Sequence, residues 1–485
     1  MNIVALLEQL TKEILTAEDK FLKNPKDLNM LELSVKTSTD SFAAAFLGEV
    51  LSDLDSAIKE TGWRKRNYVI HRTDIRSITS SVGDISFSST YYKRRGGKKG
   101  FSHPVEDMIG LDRNERFTEA AEVKLLNAAL RTSYSEAAKV LPSQQKISKT
   151  TVMNKVHGLS EEVPDTIYDE KKKVPYLYIE ADEDHVAEQH GRFGHTADNK
   201  SFISKLIYVY EEKKESLSAK GRNELVNVYY FSGLYPGAEG NKRLWEKVRR
   251  FIENNYDTDE LKHIYISGDG APWIKSGTIY LDKAVFCADK YHLMQYINAA
   301  AGQMLDEKEH VKEELWHLLY SGANDAKKKF DYYTAEMKAS ADKPDKVEKL
   351  RTYVLGNWMA VRRTLRRKHV KGCSAEGHVS HMLSDRLSSR PMGWSQTGAD
   401  RMSKLRCYAK NNGSEKIIEL VRYSRSQRKL ALTGTEDAVP RTYKTGEIIA
   451  EHYDQARSYI ERIQAHFPEG TAKKSFCIRE HLWEL

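Results

Sequence analysis

The stretch Val174–Val186, VPYLYIEADEDHV, constrains this chain more than any other. Val174, Tyr176, Leu177, Tyr178 and Ile179 are β-branched, aromatic or aliphatic residues that suit a buried strand. The run then turns acidic at Glu180, Asp182, Glu183 and Asp184. Unpaired carboxylates are costly to bury, so acids at the end of a core strand face a cation or a cleft. A strand running out into a solvated acidic turn is the plain alternative. The elements that follow shift the balance toward a cleft.

A second strand is expected near 203–211 and a third at 226–231. A helix follows over 241–254, with Leu244, Val248, Phe251 and Ile252 on one face. A fourth strand, 263–267, ends at Gly268-Asp269-Gly270. After a short helix at 272–275 come a fifth strand, 284–288, and a helix beginning near Lys290. Three strands followed by alternating helix and strand is the order of the ribonuclease H-like fold. In that fold strands one and four are neighbours, which sets Asp182 beside Asp269. The fold class expected is α/β: a ribonuclease H-like mixed five-stranded sheet with a helical insertion, preceded by helical and helix-turn-helix N-terminal domains.

The first part of that core spans 172–300. Residues 301–371 are charged and helical without strand signals, and read as the all-helical insertion. Its last helix carries Arg362, Arg363, Arg366, Arg367 and Lys368 as a basic stripe, fit for phosphates or for solvent. The segment 372–430 holds the core's final helix and a DNA-contacting stretch. There Ser374 is expected to cap a helix with Glu376 in its first turn, His378 nearby, and Val379, Leu383 and Leu387 buried. Arg390 and Trp394 follow in a loop suited to nucleic acid. Residues 431–485 read as a helical tail.

Upstream, 1–65 reads as a helical domain, with Ile3, Leu6, Leu7, Leu10 and Ile14 at helical spacing. Residues 66–115 alternate like a hairpin around Val82-Gly83-Asp84. That segment carries Lys93, Arg94, Arg95, Lys98 and Lys99 beside Tyr91 and Tyr92, a set able to grip and stack on a nucleic-acid strand. Residues 116–165 read as a helix-turn-helix unit, with Thr118 and Ser133 or Ser135 as caps. Its third helix offers Lys149, Thr150, Asn154 and Lys155 to phosphates and base edges.

The net charge of +8 over 485 residues is a mild bias toward anionic partners. The four cysteines, Cys287, Cys373, Cys407 and Cys477, are dispersed, which argues against a zinc knuckle or a disulfide framework. No apolar run is long enough to span a membrane, and the first residues form no signal peptide. A cytoplasmic, nucleoid-associated protein is expected.

The motifs EADEDHV, GDGAPWI, CADKYHLMQ and CSAEGHVSHMLSDRLSSRPMGWS, with GDISFSSTYYKRR and SYSEAAKVL upstream, resemble bacterial insertion-sequence transposases of the ISLre type, relatives of the Mutator-like transposases. The resemblance runs over most of the chain. It implies an Asp-Asp-Glu (DDE) transposase with a helical insertion before the final glutamate. Carried onto this sequence, the triad is Asp182, Asp269 and Glu376, which would also bind the metal. Asp184 is an alternative first ligand. The Asp289–His292 element is similar to an Asp/Cys-x-x-His signature of related transposases, and implies an accessory role for Asp289 and His292.

The chemistry also follows from residue types. Two-metal phosphoryl transfer needs carboxylates holding two hard cations about 4 Å apart. Oxygen ligands select Mg2+ or Mn2+. The partner expected is double-stranded DNA, as element terminal repeats and target, bound by a homo-oligomer. Two alternatives stay open: a sequence-specific DNA-binding protein without catalysis, and a metal-dependent nuclease without strand transfer. A zinc hydrolase on His185, His190 and His195 is disfavoured, because a five-residue spacing aligns them on neither a strand nor a helix face.

Overall fold

The computed structural model describes residues 3–96, 100–112, 114–189, 201–214, 223–304, 307–370, 372–390 and 392–433. The chain divides into two units, 1–155 with 425–485, and 156–424.

The first unit begins with α1 (Ile3–Lys23), α2 (Leu28–Glu60) and α3 (Gly62–Asn67). The expected hairpin follows as β1 (Tyr68–Ser80) and β2 (Gly83–Arg94), with β3 (Phe101–Ser102) added beside β2. Gly83 turns the hairpin at φ +137°, where other residues are strained. α2 lies along the open edge of β2 and satisfies its amides. Ser52 accepts from the Ser88 N–H at 3.1 Å, and the buried Asp55 accepts from the Thr90 N–H at 2.9 Å. Gly48 permits the approach, since a Cβ there would meet the Ser86 carbonyl at 2.5 Å. A core of Ile78, Ile85, Phe87, Tyr92, Val105 and Leu111 closes beneath.

α4 (Pro104–Met108), α5 (Glu119–Ala129), α6 (Tyr134–Ala137) and α7 (Lys149–His157) complete this part of the chain. Thr118 and Ser133 act as the expected N-caps. Lys149, Thr150 and Asn154 are exposed on α7. Lys155 is not free for DNA: it binds Glu115 at 2.5 Å and Glu122 at 3.2 Å, and Arg425 joins Glu122 at 2.6 Å. Buried carboxylates demand such partners, which corrects its expected role.

The second unit is organised by a five-stranded mixed sheet. Its strands are β4 (Tyr176–Ala187), β5 (Ser201–Tyr210), β8 (Tyr229–Gly233), β9 (His263–Gly268) and β10 (Ala284–Ala288). A small hairpin, β6 (Glu212–Lys214) and β7 (Glu224–Val226), lies between β5 and β8 in sequence. The order across the sheet is β10-β9-β4-β5-β8. β5 runs antiparallel to β4 and β8, while β4, β9 and β10 are parallel. The first and fourth strands of the sheet are therefore neighbours.

Helix α8 (Gly237–Asn255) covers one face with Leu244, Trp245, Val248, Phe251 and Ile252, against Leu177, Ile179 and Ala181 of β4. α9 (Pro272–Lys275) and α10 (Gly277–Tyr280) link β9 to β10, and α11 (Lys290–Ala301) follows β10. The helical stretch expected before Glu376 is present as α12 (Lys308–Tyr320), α13 (Ala326–Ser340), α14 (Pro344–Gly356) and α15 (Trp358–Arg366).

The basic stripe of α15 is drawn partly into the fold: Arg362, Arg363 and Arg367 are half-buried, while Arg366 and Lys368 are exposed. Arg363 donates to the Phe286 carbonyl of β10 at 2.8 Å, and Thr364 to the Ala288 carbonyl at 2.7 Å. Arg362 and Arg366 donate to the Ser321 carbonyl beyond the end of α12 at 3.0 and 2.6 Å. Arg367 reaches the Tyr265 hydroxyl at 3.2 Å, with its guanidinium 5.5 Å over that ring. Arg362, Arg363 and Arg367 thus serve open carbonyls and a ring of their own unit, while Arg366 keeps an exposed guanidinium beside the Ser321 carbonyl.

The opposite sheet face carries α16 (Ala375–Val379), a π-helical turn (Ser380–Ser384), α17 (Asp385–Leu387) and α18 (Gln396–Asn412). Val379, Leu383 and Leu387 are buried as expected. Asn411 on α18 pairs with both the N–H and the carbonyl of Tyr230, each at 2.8 Å, and so caps edge strand β8. α19 (Ile417–Thr433) ends the described chain.

Candidate active site

Alternation along β4 puts Tyr178, Glu180, Asp182 and Asp184 on the face away from α8. Glu180 pairs with Ser267 of β9, and Ser267 with Cys287 of β10. Extending this register by two residues sets Asp182, Asp269 and Asp289 in one row. The Asp289 N–H, donating to the Gly268 carbonyl at 3.0 Å, holds the two strand ends in step.

Each carboxylate is positioned by its own backbone turn. Asp269 accepts from the Ala271 N–H at 2.8 Å, and Asp289 caps α11 through the Tyr291 N–H at 2.9 Å. The other Asp289 oxygen holds His292 Nδ1 at 2.6 Å. That hydrogen bond raises the His292 pKa against the effect of burial, and the charges of Asp289, Asp269 and Asp182 add to it. Burial pushes the Asp182 carboxyl up to about 6; the Glu183 N–H and His292 oppose this, and Asp269 and Glu183 reinforce it. Asp182 is thus a half-buried acid facing another acid without a full counter-charge.

The helical stretch contributes a residue the sequence did not single out. Tyr353 of α14 lies beside Gly270, where a Cβ would be 3.6 Å from the Tyr353 ring and 3.4 Å from Asn357. The Tyr353 hydroxyl is buried without a hydrogen-bond partner among the described residues. Burial, then the charges of Asp289 and Asp269, hold its pKa far above the usual phenol range. One tyrosine within a charged helical run gives no sequence signal for this.

Glu180 was also unforeseen as an organising residue. Almost wholly buried, it accepts from the Tyr208 and Tyr210 hydroxyls and from the Ser374 N–H at 2.6 Å, with Lys213 at 3.7 Å. Ser374 also donates its hydroxyl to Glu180 at 3.1 Å and makes no side-chain cap on α16, contrary to expectation. The signal was present: Tyr208 and Tyr210 share one strand face with the matching position on β4.

Of the other residues named from sequence, Asp184 is held by the Ser388 hydroxyl, 2.9 Å from each carboxylate oxygen. His378 stacks on Tyr208 at 4.3 Å and meets the Tyr230 hydroxyl at 2.9 Å, away from the aspartate row. Burial holds its pKa low. Glu376 stands exposed in the first turn of α16, and among the described residues it makes no side-chain hydrogen bond or ion pair. No group of three or more His, Cys, Asp or Glu side chains among the described residues is gathered closely enough to hold a metal ion.

Arg390, Lys93, Arg94 and Arg95 are exposed, while Lys98 and Lys99 lie outside the described residues. Trp394 is buried, its backbone N–H donating to the Ala187 carbonyl at 2.9 Å and its ring 4.8 Å beneath Arg386. It continues the hydrogen bonding of β4 instead of offering a surface to DNA, a correction of the sequence expectation. His185 is exposed beside Glu183 at 3.8 Å, and His190 and His195 lie outside the described residues. No helix of the described residues is long and apolar enough to cross a membrane.

Comparison with known proteins places these features in a family. A UPF0236 protein of Caldanaerobacter subterraneus subsp. tengcongensis is 35% identical over 410 residues, covering 84% of this chain and 83% of its own. Its name joins eleven locus designations of one genome. A second UPF0236 protein of that organism is 34% identical over 422 residues, covering 86% of this chain and 87% of its own. One from Streptococcus gallolyticus, named for the vanSb 3′ region, is 24% identical, covering 80% and 84%. Among solved structures, the Drosophila P element transposase strand transfer complex is similar at 10% identity and a TM-score of 0.21, over 68% of this chain and 94% of that one. A model of the family described as "Uncharacterised protein family (UPF0236)" matches residues 21–424, and the chain belongs to that family.

Proposed function

We propose that this protein is a DNA transposase that cleaves and joins the ends of an insertion sequence, with Asp182, Asp269 and Glu376 as its acidic triad. One observation carries the reading: Asp182 lies on β4, Asp269 directly follows the adjacent parallel strand β9, and the Asp182 carboxyl is pushed up to about 6 by burial and by Asp269. An enzyme that needs cations between carboxylates has this signature. The strand order and directions are those expected of a ribonuclease H-like core, and a long helical stretch precedes Glu376. A relative whose name joins eleven loci of one genome is what a mobile element leaves behind.

Asp182 and Asp269 offer oxygen donors of the kind magnesium or manganese takes, and Glu376 would be the third ligand once brought to them. When bound, such ions supply Lewis-acid activation of the attacking oxygen and neutralise charge at the leaving one. The chain's own groups orient the site. The Asp289 hydrogen bond raises the His292 pKa beside the two aspartates, and the imidazolium, when formed, can meet a DNA phosphate. Asp184, satisfied by Ser388, is the weaker choice of ligand than Asp182. Lys149, Thr150 and Asn154 are the DNA-facing candidates on α7, and Lys93, Arg94 and Arg95 on the hairpin.

The non-catalytic DNA-binding reading draws on one observation: among the described residues, Glu376, Asp182 and Asp269 do not form a group gathered closely enough to hold a metal ion. The transposase reading requires α16 to bring it to them when DNA is bound. The test is strand transfer: purified protein, linear DNA carrying the element ends, a supercoiled target plasmid and manganese. Joined products support the reading. Cleavage without joining makes the protein a nuclease, and binding without either makes it a DNA-binding protein.

A further inference from the structure

The first unit holds an aromatic group that its own core does not use. The core beneath the hairpin contains Phe87 and Tyr92, but not Tyr91, Phe101, His71 or His103. Those four rings gather together instead. Phe101 stacks on Tyr91 with centroids 4.9 Å apart and planes at 9°. Tyr91 stacks on His103 at 4.5 Å. His71 meets Tyr91 and Phe101 edge-on at 5.5 and 5.9 Å, and the Arg72 guanidinium lies 5.5 Å over the Tyr91 ring.

Folding gives no reason for this layer to remain open. Phe101 is 53% exposed, and along β1 every residue from Val69 to Ile75 is exposed. Cations line its edge, and the acids nearby are engaged: Glu106 accepts from the Ser89 hydroxyl and lies 3.6 Å from His103, and Asp107 accepts from the Ser102 hydroxyl at 3.1 Å. Lys93 stands directly opposite Phe101 in the β2–β3 pair and opposite Val69 in the β1–β2 pair, so all three share one face. Arg94 and Arg95 follow, exposed, with Lys98 and Lys99 next in the sequence. Asp74, the acid within this stretch of β1, is paired with Arg72 at 2.8 Å.

An aromatic face with cations along its edge suits single-stranded nucleic acid, because any base can stack while the backbone follows the cations. Paired bases are already stacked and offer no free face. A second copy seated on the same face would bring its own Lys93, Arg94 and Arg95 against these cations. We propose that the Tyr91–Phe101 layer on the β1–β3 sheet receives an unpaired base of a DNA strand whose phosphates run along Lys93 and Arg95. The proposal takes from the transposase reading only that the partner is DNA, and it requires no cleavage.

The test uses the full chain in EDTA, so that binding is measured whatever the catalytic fate of the protein. Two labelled probes are compared by fluorescence anisotropy: a blunt duplex, and the same duplex with an oligo-dT tail. The wild type should bind the tailed probe more tightly. Phe101→Ala should lose about tenfold on the tailed probe and nothing on the blunt one, and Phe101→Trp should keep the preference. Lys93→Ala with Arg95→Ala should weaken both probes and lower the salt slope by about two. Should Phe101→Ala not fold, His71→Ala and Phe101→Trp carry the same comparison. A wild type without preference for the tail, or Phe101→Ala losing nothing or losing equally on both probes, overturns the proposal. So does a Phe101→Ala chain that turns from dimer to monomer in sedimentation, since the face would then be covered by a second copy. Tail binding without strand transfer in the plasmid assay would leave this site standing and the transposase reading fallen.

Discussion

Asp182 and Glu376 call for opposite behaviour from two carboxylates assigned to one site. The folded chain holds the Asp182 proton up to about 6 against an ordinary 3.8. A raised acid makes the folded state bind more protons than the unfolded one, so stability falls as pH rises through that window, by at most ~3 kcal/mol. Asp182→Asn should therefore raise the melting temperature of the metal-free protein at pH 7 and leave it nearly unchanged at pH 4. Equal effects at both pH values would assign the change to packing. Glu376 is exposed, so Glu376→Ala should move stability by less than about 0.5 kcal/mol. Glu180→Ala should cost roughly 3–5 kcal/mol, because it removes the buried carboxylate that two tyrosine hydroxyls, the Ser374 N–H and Lys213 share. Urea unfolding of the two variants separates a carboxylate that holds the fold from one available for chemistry. His292 is checked by NMR: Asp289→Asn should lower its titration midpoint, since the Asp289 hydrogen bond is the first cause of its rise.

At the scale of elements, α15 and α7 divide the basic residues by task. Arg363→Ala should destabilise the second unit by about 1–3 kcal/mol, through loss of its bond to the Phe286 carbonyl, and leave the salt dependence of DNA binding as it was. Lys149→Ala with Asn154→Ala should do the reverse, weakening binding to element ends without lowering the unfolding midpoint. Unaltered gel shifts in that double variant would remove α7 from the DNA-contacting set. Strand periodicity made the sheet legible, because alternation in β4 and continuous apolar runs in β9 and β10 are set by local burial. The expected fifth strand, 284–288, and the short helix at 272–275 match β10 and α9 in extent. The fates of Arg362, Arg363, Arg366 and Lys155 were not legible. Helical spacing gathers cations on one face, but the carbonyls and carboxylates that claim them come from segments distant in sequence. Tyr353 and Trp394 were hidden or misread for the same reason: their surroundings are made by β9 and β4, far along the chain.

At the scale of the whole molecule, a sheet aligns two aspartates, a helical stretch sets Tyr353 beside them, and α16, which carries Glu376, is anchored through Ser374 to Glu180. The transposase proposal stands or falls on Asp182, Asp269 and Glu376 acting as one unit on DNA. The most direct measurement is cleavage of a labelled element end in magnesium or manganese, comparing the wild type with Asp182→Asn, Asp269→Asn and Glu376→Gln, with binding followed in parallel in EDTA. These substitutions keep shape and remove the charge that holds a divalent ion. The account predicts that each variant binds the end like the wild type and fails to cut it. A Glu376→Gln protein that cuts and joins at the wild-type rate would contradict it.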